Sequence, residues 1–210
     1  MPEAAGSAWY DAFASFYDAA LDGTYRTHRQ AALAALSLAP GMTVVDVGCG
    51  TGASFPLLTA AVGTQGRVVG VDASSGMLRK AAARVRRAGW QNVQLLEVGA
   101  ADPQPWATRI GRIDRVQCFL SLSVIPDWER VLNDWLDALA PGGKLVIADV
   151  YNPTPGPYAK LVELTARADI TRRSWEMLQA RAADFELSWQ PSSWALGGKF
   201  FIACGGRGSL

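Results

Sequence analysis

The residues best placed to do chemistry lie in one short run, Asp46-Val47-Gly48-Cys49-Gly50-Thr51-Gly52, and at Asp72 beyond it. Alternate glycines directly after an apolar run let a ligand approach the main chain with no Cβ in the way. The helical segment that follows would add free N–H groups and the positive end of a helix dipole. Asp72 closes the next apolar run, where a carboxylate can accept hydrogen bonds from ribose hydroxyls. Together these residues describe a site for a nucleoside-bearing small molecule. Gly48, Gly50 and Ala53 also satisfy the G-x-G-x-x-G/A dinucleotide fingerprint, so the turn alone does not choose between ligands. Asp46, two residues before Gly48, places an acid where a cation suits better than a diphosphate.

The rest of the chemical inventory is sparse. The chain has a single histidine, His28, and its neighbours Arg26 and Arg29 make it read as a solvated helix position. No Ser/His/Asp arrangement and no metal-ligand cluster can be assembled, so catalysis by positioning without a metal is expected. Cys49, Cys118 and Cys204 each sit in or beside an apolar run and read as buried, reduced thiols. A net charge of +1 offers no basic excess for nucleic acid. The 210 residues, 50% hydrophobic and 19% charged, suit one globular domain with a substantial core. Neither a secretory signal nor a membrane-spanning apolar stretch is visible, which gives a cytoplasmic expectation.

The elements that must position these residues alternate. Strands are predicted at Thr43–Val47, Arg67–Val71, Val93–Glu97, Ile113–Phe119 and Lys144–Val150, with helices at Gly52–Val62, Gly76–Ala88 and Asp127–Leu139. That rhythm is an α/β pattern, a parallel sheet with helices on both faces. Ser74 or Ser75 reads as one helix N-cap, Asp127 as another, and Gly89 as a helix end. Arg79, Lys80, Arg84, Arg86 and Arg87 read as a solvated helix face. After a Pro/Gly-rich stretch come helices near Tyr158–Ala168 and Arg172–Ala182, then strands Phe185–Gln190 and Lys199–Ala203. The gap between those strands is too short for a helical crossover, so an antiparallel pair is expected. Ahead of the first strand, Trp9, Phe13, Phe16, Tyr17 and Leu21 form an aromatic helical stripe, followed by a helix over Tyr25–Leu36. One domain over 1–210 is expected: a helical lid to 40, a cofactor-binding core at 41–150, and helices with a terminal hairpin at 151–210.

Val44–Gly52, Val68-Val69-Gly70-Val71-Asp72 and Leu139-Ala140-Pro141-Gly142-Gly143-Lys144-Leu145-Val146-Ile147 resemble the successive motifs of class I S-adenosylmethionine-dependent methyltransferases. The resemblance runs from about Tyr10 to about Cys204. It implies a Rossmann-like seven-stranded sheet in the order 3-2-1-4-5-7-6 with strand 7 antiparallel. It also implies S-adenosylmethionine as cofactor, with Gly48, Cys49, Gly50 and Gly52 against its methionine part and Asp46 at its amino group. Asp72 would take the ribose, Ala73 and Met77 would flank the adenine, Gly99 and Ala100 would meet the adenine edge, and Tyr17 and Phe119 would complete the site. Gly99 departs from the family pattern, which has an Asp there. Asp102 or a backbone carbonyl takes its role, or one hydrogen bond worth about 1 kcal/mol is missing.

The acceptor pocket is expected outside the carboxyl ends of the strands, around Phe119–Ile125, Tyr151–Tyr158 and Pro191–Trp194. Ser121-Leu122-Ser123-Val124-Ile125-Pro126-Asp127-Trp128 resembles the matching stretch of bacterial phospholipid and betaine-lipid headgroup N-methyltransferases, as does Phe16-Tyr17-Asp18 followed by Tyr25 and Arg29. That resemblance implies an amine acceptor, with Tyr17, Tyr25, Ser121, Ser123, Tyr151 and Trp194 at the substrate and peripheral contact with a membrane. Aromatic walls would favour a methylated cation, each contact being worth about 0.5–2 kcal/mol. The general motif set equally resembles the quinone-methyltransferase-like group, which leaves carbon, oxygen or sulfur acceptors open. A cofactor-binding regulatory partner without activity is the non-enzyme alternative.

Overall fold

Runs of β-branched residues, apolar on both faces, build the centre of the molecule. In the computed structural model, which describes residues 25–99, 109–191 and 198–207, they form β1 (Thr43–Val47), β2 (Arg67–Asp72), β3 (Val93–Glu97), β4 (Arg115–Phe119) and β5 (Lys144–Tyr151). All five are parallel. β6 (Ala183–Gln190) and β7 (Lys199–Gly206) complete a seven-stranded sheet in the order β3-β2-β1-β4-β5-β7-β6. β7 lies antiparallel to both its neighbours. This is the order expected from the sequence, hairpin included.

Helices cover both faces. α1 (Arg26–Leu36), α2 (Phe55–Val62) and α3 (Ser75–Ala88) pack over Val44, Val68, Val146, Phe200 and Ile202. α4 (Trp128–Ala138) and α6 (Ser174–Arg181) pack over Val45, Val69, Val116, Ile147 and Phe201. α5 (Pro157–Ala166) follows β5. Phe55 shows how closely the first layer fits. Its fully buried ring fills the space that a Cβ would claim at Gly52 and at Gly70, each 2.5 Å from the ring. Burying such a side chain contributes about 1.5–3 kcal/mol.

Sequence punctuation is partly kept. Ser74 caps α3, its Oγ accepting from the Met77 N–H at 3.1 Å, and Gly89 ends that helix at φ +71°. Asp127 precedes α4 but makes no capping bond; its carboxylate lies 3.8 Å from Arg130 instead. The helix expected from Gly52 starts at Phe55, because the glycine turn uses positive φ through Gly52. β4 starts at Arg115 rather than Ile113, since the Asp114 carboxylate turns to accept the Thr43 N–H at 2.9 Å. No helix among the described residues is long and apolar enough to cross a membrane.

One consequence of the strand order positions the site. The chain runs outward from β1 to β2 and β3, then returns to β4 on the other side of β1. The connections after β1 and β4 therefore diverge and leave a crevice at the carboxyl ends of these strands.

Candidate active site

Asp46 lies near the end of β1, only 2% exposed, on the face covered by α1 and α2. Its register partner on β4 is Gln117, whose Nε2 donates to Asp46 Oδ1 at 3.0 Å. Burial pushes the Asp46 carboxyl up to about 7, against the opposing pull of the Gln117 hydrogen bond and the Arg29 charge. A buried acid held near neutrality fits an incoming cation, which would restore its ionised form.

The turn itself is held at both ends. The Cys49 N–H donates to the Val71 carbonyl at 3.0 Å, extending the β1–β2 ladder into the turn. Asp72 Oδ2 accepts the Gly50 N–H and Oδ1 accepts the Ser74 N–H, both at 2.8 Å. One carboxylate thus binds the turn after β1 to the turn after β2. A Cβ at Gly50 would meet nothing within 4 Å, so the main chain is open there. A Cβ at Gly48 would stand 2.5 Å from Ser121 Cβ, so the loop after β4 closes directly against the turn. Arg84 leaves the solvated face expected of its helix: its Nε donates to the Thr51 carbonyl at 3.1 Å and braces the turn from α3.

Around this frame, Met77 is buried on the first turn of α3, Ala73 is exposed beside it, and Gly99 lies just past β3. The Val98 N–H donates to the Asp72 carbonyl at 3.0 Å, which carries β3 to the same edge. Asp46, Gly48, Cys49, Gly50, Gly52, Asp72, Ala73, Met77 and Gly99 therefore gather at the ends of β1, β2 and β3. Ala100, Asp102, Tyr17 and Trp194 lie outside the described residues, as does the aromatic stripe around Phe16. All three cysteines are free and buried, and burial raises the Cys49 thiol well above its ordinary range.

Phe119, at the end of β4, carries α1 on its ring. Tyr25 packs edge-on at 6.2 Å between centroids, and the Arg29 guanidinium sits 5.3 Å above. His28 is buried rather than solvated, because its ring packs against that of Phe200 with centroids 4.3 Å apart and a 51° tilt, and its Nε2 lies 3.0 Å from the Pro191 carbonyl. Arg26 and Arg29 mark a wet helix face in the sequence, whereas α1 rotates His28 and Tyr25 into the sheet. Tyr25 and Tyr151 do not share a wall. Tyr25 packs in the layer under α1, while Tyr151 meets Trp175 at 4.7 Å on the opposite face of the sheet. Ser121 and Ser123 are both buried in the loop after β4.

Sequence reasoning missed Gln117 and the contact of Arg84 with the turn, and it grouped Arg29 with the acceptor side rather than with Asp46. Gln117 had a readable signal, a polar residue in an apolar strand; Arg29 had its spacing of four from Tyr25 on one helix face. Arg84 had none. Among the described residues no cluster of His, Cys, Asp and Glu could hold a metal ion.

Residues 44–143 match the family described as a methyltransferase domain. The chain is 33% identical to a demethylmenaquinone methyltransferase of Desulfitobacterium hafniense over 129 residues, 61% of this chain and 50% of that protein. It is 34% identical to a trans-aconitate 2-methyltransferase of Azoarcus sp. over 171 residues, 75% of this chain and 63% of that protein. The chain thus spans between half and two thirds of the length of these relatives. The solved DhpI–SAH complex superposes with a TM-score of 0.68 at 22% identity, covering 99% of this chain and 97% of that one. Residues 44–143 are thus similar to a methyltransferase domain, and the strand order is that of a Rossmann-like methyltransferase fold.

Proposed function

We propose that the chain transfers a methyl group from S-adenosylmethionine to a small-molecule acceptor. The observation that carries this reading is the frame Asp46–Gly50–Asp72: a buried acid at one end, an open main chain in the middle, and a tethered carboxylate at the other end. Asp46 would take the amino group of the cofactor and Asp72 the ribose hydroxyls, while Ala73 and Met77 flank the adenine. Arg29, whose charge already acts on Asp46, suits the carboxylate of the methionine part. When bound, the cofactor supplies an electrophilic methyl carbon on a sulfonium. The protein's part is to hold the acceptor atom in line behind that carbon, and good orientation alone accounts for several kcal/mol of barrier.

For the acceptor we propose an amine of the lipid-headgroup type. Its support is the resemblance of Ser121–Trp128 and the Tyr25–Arg29 helix. The aromatic cluster described near the site is the buried group Tyr25, Phe119 and Phe200, in place of the cage expected from Tyr151. A second reading, a quinol or acidic carbon or oxygen acceptor, is favoured by the relatives named for demethylmenaquinone and trans-aconitate and by the cation of Arg29 over Phe119. A fixed positive charge there would oppose a quaternary ammonium product and favour an anionic one.

A turnover screen with radiolabelled S-adenosylmethionine separates these readings. Phosphatidylethanolamine vesicles, small amines, quinols and thiols are offered in parallel, with S-adenosylhomocysteine binding followed by calorimetry. Label in the amine acceptors supports the first reading. Label confined to quinols or thiols overturns it, and no calorimetric binding at millimolar concentration overturns the methyltransferase reading itself.

A further inference from the structure

The loop that follows β4 is held in an unfavourable shape by residues far along the chain. Leu120 enters it at φ +53°, a left-handed conformation that a branched side chain rarely adopts. Such strain persists only where the surroundings over-determine it, and it concentrates at functional sites. The next residue, Ser121, is the one that closes against Gly48. Its carbonyl accepts from the Val124 and Ile125 N–H groups at 3.1 and 3.2 Å, forming a tight turn at the crevice.

Two groups grip this turn from behind. Arg172, between α5 and α6, donates through Nη1 to the carbonyls of Leu122 and Ile125, both at 2.6 Å. Its Nε donates to Asp169 Oδ2 at 3.2 Å, and the Asp169 N–H donates to the Ser123 carbonyl at 2.8 Å. From the sheet, Asp149 on β5 is 3% exposed and accepts the Ser123 N–H and the Ser123 hydroxyl, both at 3.1 Å. The turn is thus bonded at residues 122, 123 and 125 by side chains or main chain from 149, 169 and 172. None of these bonds reaches the residues that frame the cofactor site. A guanidinium meeting two carbonyls at once fixes an orientation in a way a lysine ammonium does not.

We propose that Arg172, backed by Asp169 and Asp149, is a positioning residue for the methyl acceptor: it sets the Ser121–Ile125 turn against Gly48 and so aligns the acceptor with the transferred methyl. Arg172 acts through the turn and does not touch the reacting atoms. The assignment rests on the methyl-transfer reading above. It divides the site into two supports, with the β1–β2 turns holding the cofactor and the 149/169/172 group holding the acceptor side.

The experiment uses Arg172→Lys and Arg172→Gln in the full chain, with S-adenosylhomocysteine and phosphatidylethanolamine vesicles as probes. Hydrogen exchange followed by mass spectrometry should show peptides spanning 120–126 exchanging at least tenfold faster in Arg172→Gln, with β1 and β2 peptides unchanged. Calorimetric affinity for S-adenosylhomocysteine should change less than threefold. With the vesicles, KM should rise tenfold or more while kcat falls less, and Arg172→Lys should recover only part of the loss. Unchanged exchange over 120–126, or a loss of S-adenosylhomocysteine affinity as large as the loss in turnover, would overturn the assignment. If Arg172→Gln does not fold, Arg172→Lys carries the same measurements. Wild-type failure to methylate the vesicles would sink the amine reading, while the exchange result would still decide the role of Arg172.

Discussion

Asp46 should cost the protein stability at the pH where it is useful, and Asp46→Asn measures how much. An isolated Asp titrates near 3.8, whereas burial holds Asp46 at about 7. At 1.36 kcal/mol for each tenfold change in proton affinity, keeping this group ionised in the fold costs about 4 kcal/mol as a ceiling. The sign follows from which state binds the proton more tightly. Here the folded state does, so stability from this group is complete below about pH 4, declines as pH rises toward 7, and stays low above it. Asn keeps an oxygen for the Gln117 amide and removes the ionisation. Urea unfolding should therefore give Asp46→Asn roughly 2–4 kcal/mol more stability than the native protein at pH 8 and little difference at pH 4. The variant should nevertheless bind S-adenosylhomocysteine at least 100-fold more weakly, since the amino group loses its counter-charge. In the native protein, binding below pH 7 should release a proton, visible as buffer-dependent heat in calorimetry. A variant that is less stable than the native protein at pH 8, or a native affinity that is flat between pH 5 and 8, would refute the reasoning.

Four other substitutions test the same frame. Gly48→Ala should lose about 3 kcal/mol or more, because its Cβ meets Ser121 at 2.5 Å in addition to the positive φ; Gly50→Ala should lose only about 1–2 kcal/mol, since its Cβ meets nothing. Thermal unfolding of the two variants side by side checks the difference, and equal losses would contradict it. Asp72→Ala strands the Gly50 and Ser74 N–H groups, so a drop of about 1–3 kcal/mol in unfolding free energy should accompany a large loss of S-adenosylhomocysteine affinity by calorimetry. Ser74→Ala removes the cap of α3 and should cost about 1 kcal/mol in denaturant unfolding while leaving affinity within a fewfold.

The sheet was legible in the sequence because its signals are local. Valine-rich runs, glycine after Val47 and the short Pro191–Gly198 gap each restrict the chain within a few residues and yield the strands and the terminal hairpin, while their order is what the methyltransferase resemblance implies. The gathering of Asp46, the glycine turn and Asp72 at one edge of the sheet was legible for the same reason, since both acids stand near strand ends. The acceptor side was not. His28 and Tyr25 turn inward through the rotation of α1 against Phe119 and Phe200, and no local pattern sets that rotation. Tyr151 faces away from Tyr25 because side chains alternate along β5, which the sequence shows only once the register is known. The grip of Arg172 on Leu122 and Ile125 joins residues about fifty positions apart, beyond the reach of any spacing rule.

The seat of β7 between β5 and β6 sets a timetable for synthesis. Among the described residues β6 has no neighbour in the sheet except β7, yet it leaves the ribosome first. Until Lys199–Gly206 has emerged, β5 presents an unpaired edge lined by Leu145, Val146 and Ile147, and β6 has nothing to pair with. A nascent chain paused before this strand thus carries an open, apolar parallel sheet, the kind of edge that recruits other chains. The last described strand is therefore a closing piece: the half-made protein is most exposed to aggregation just before translation inserts it.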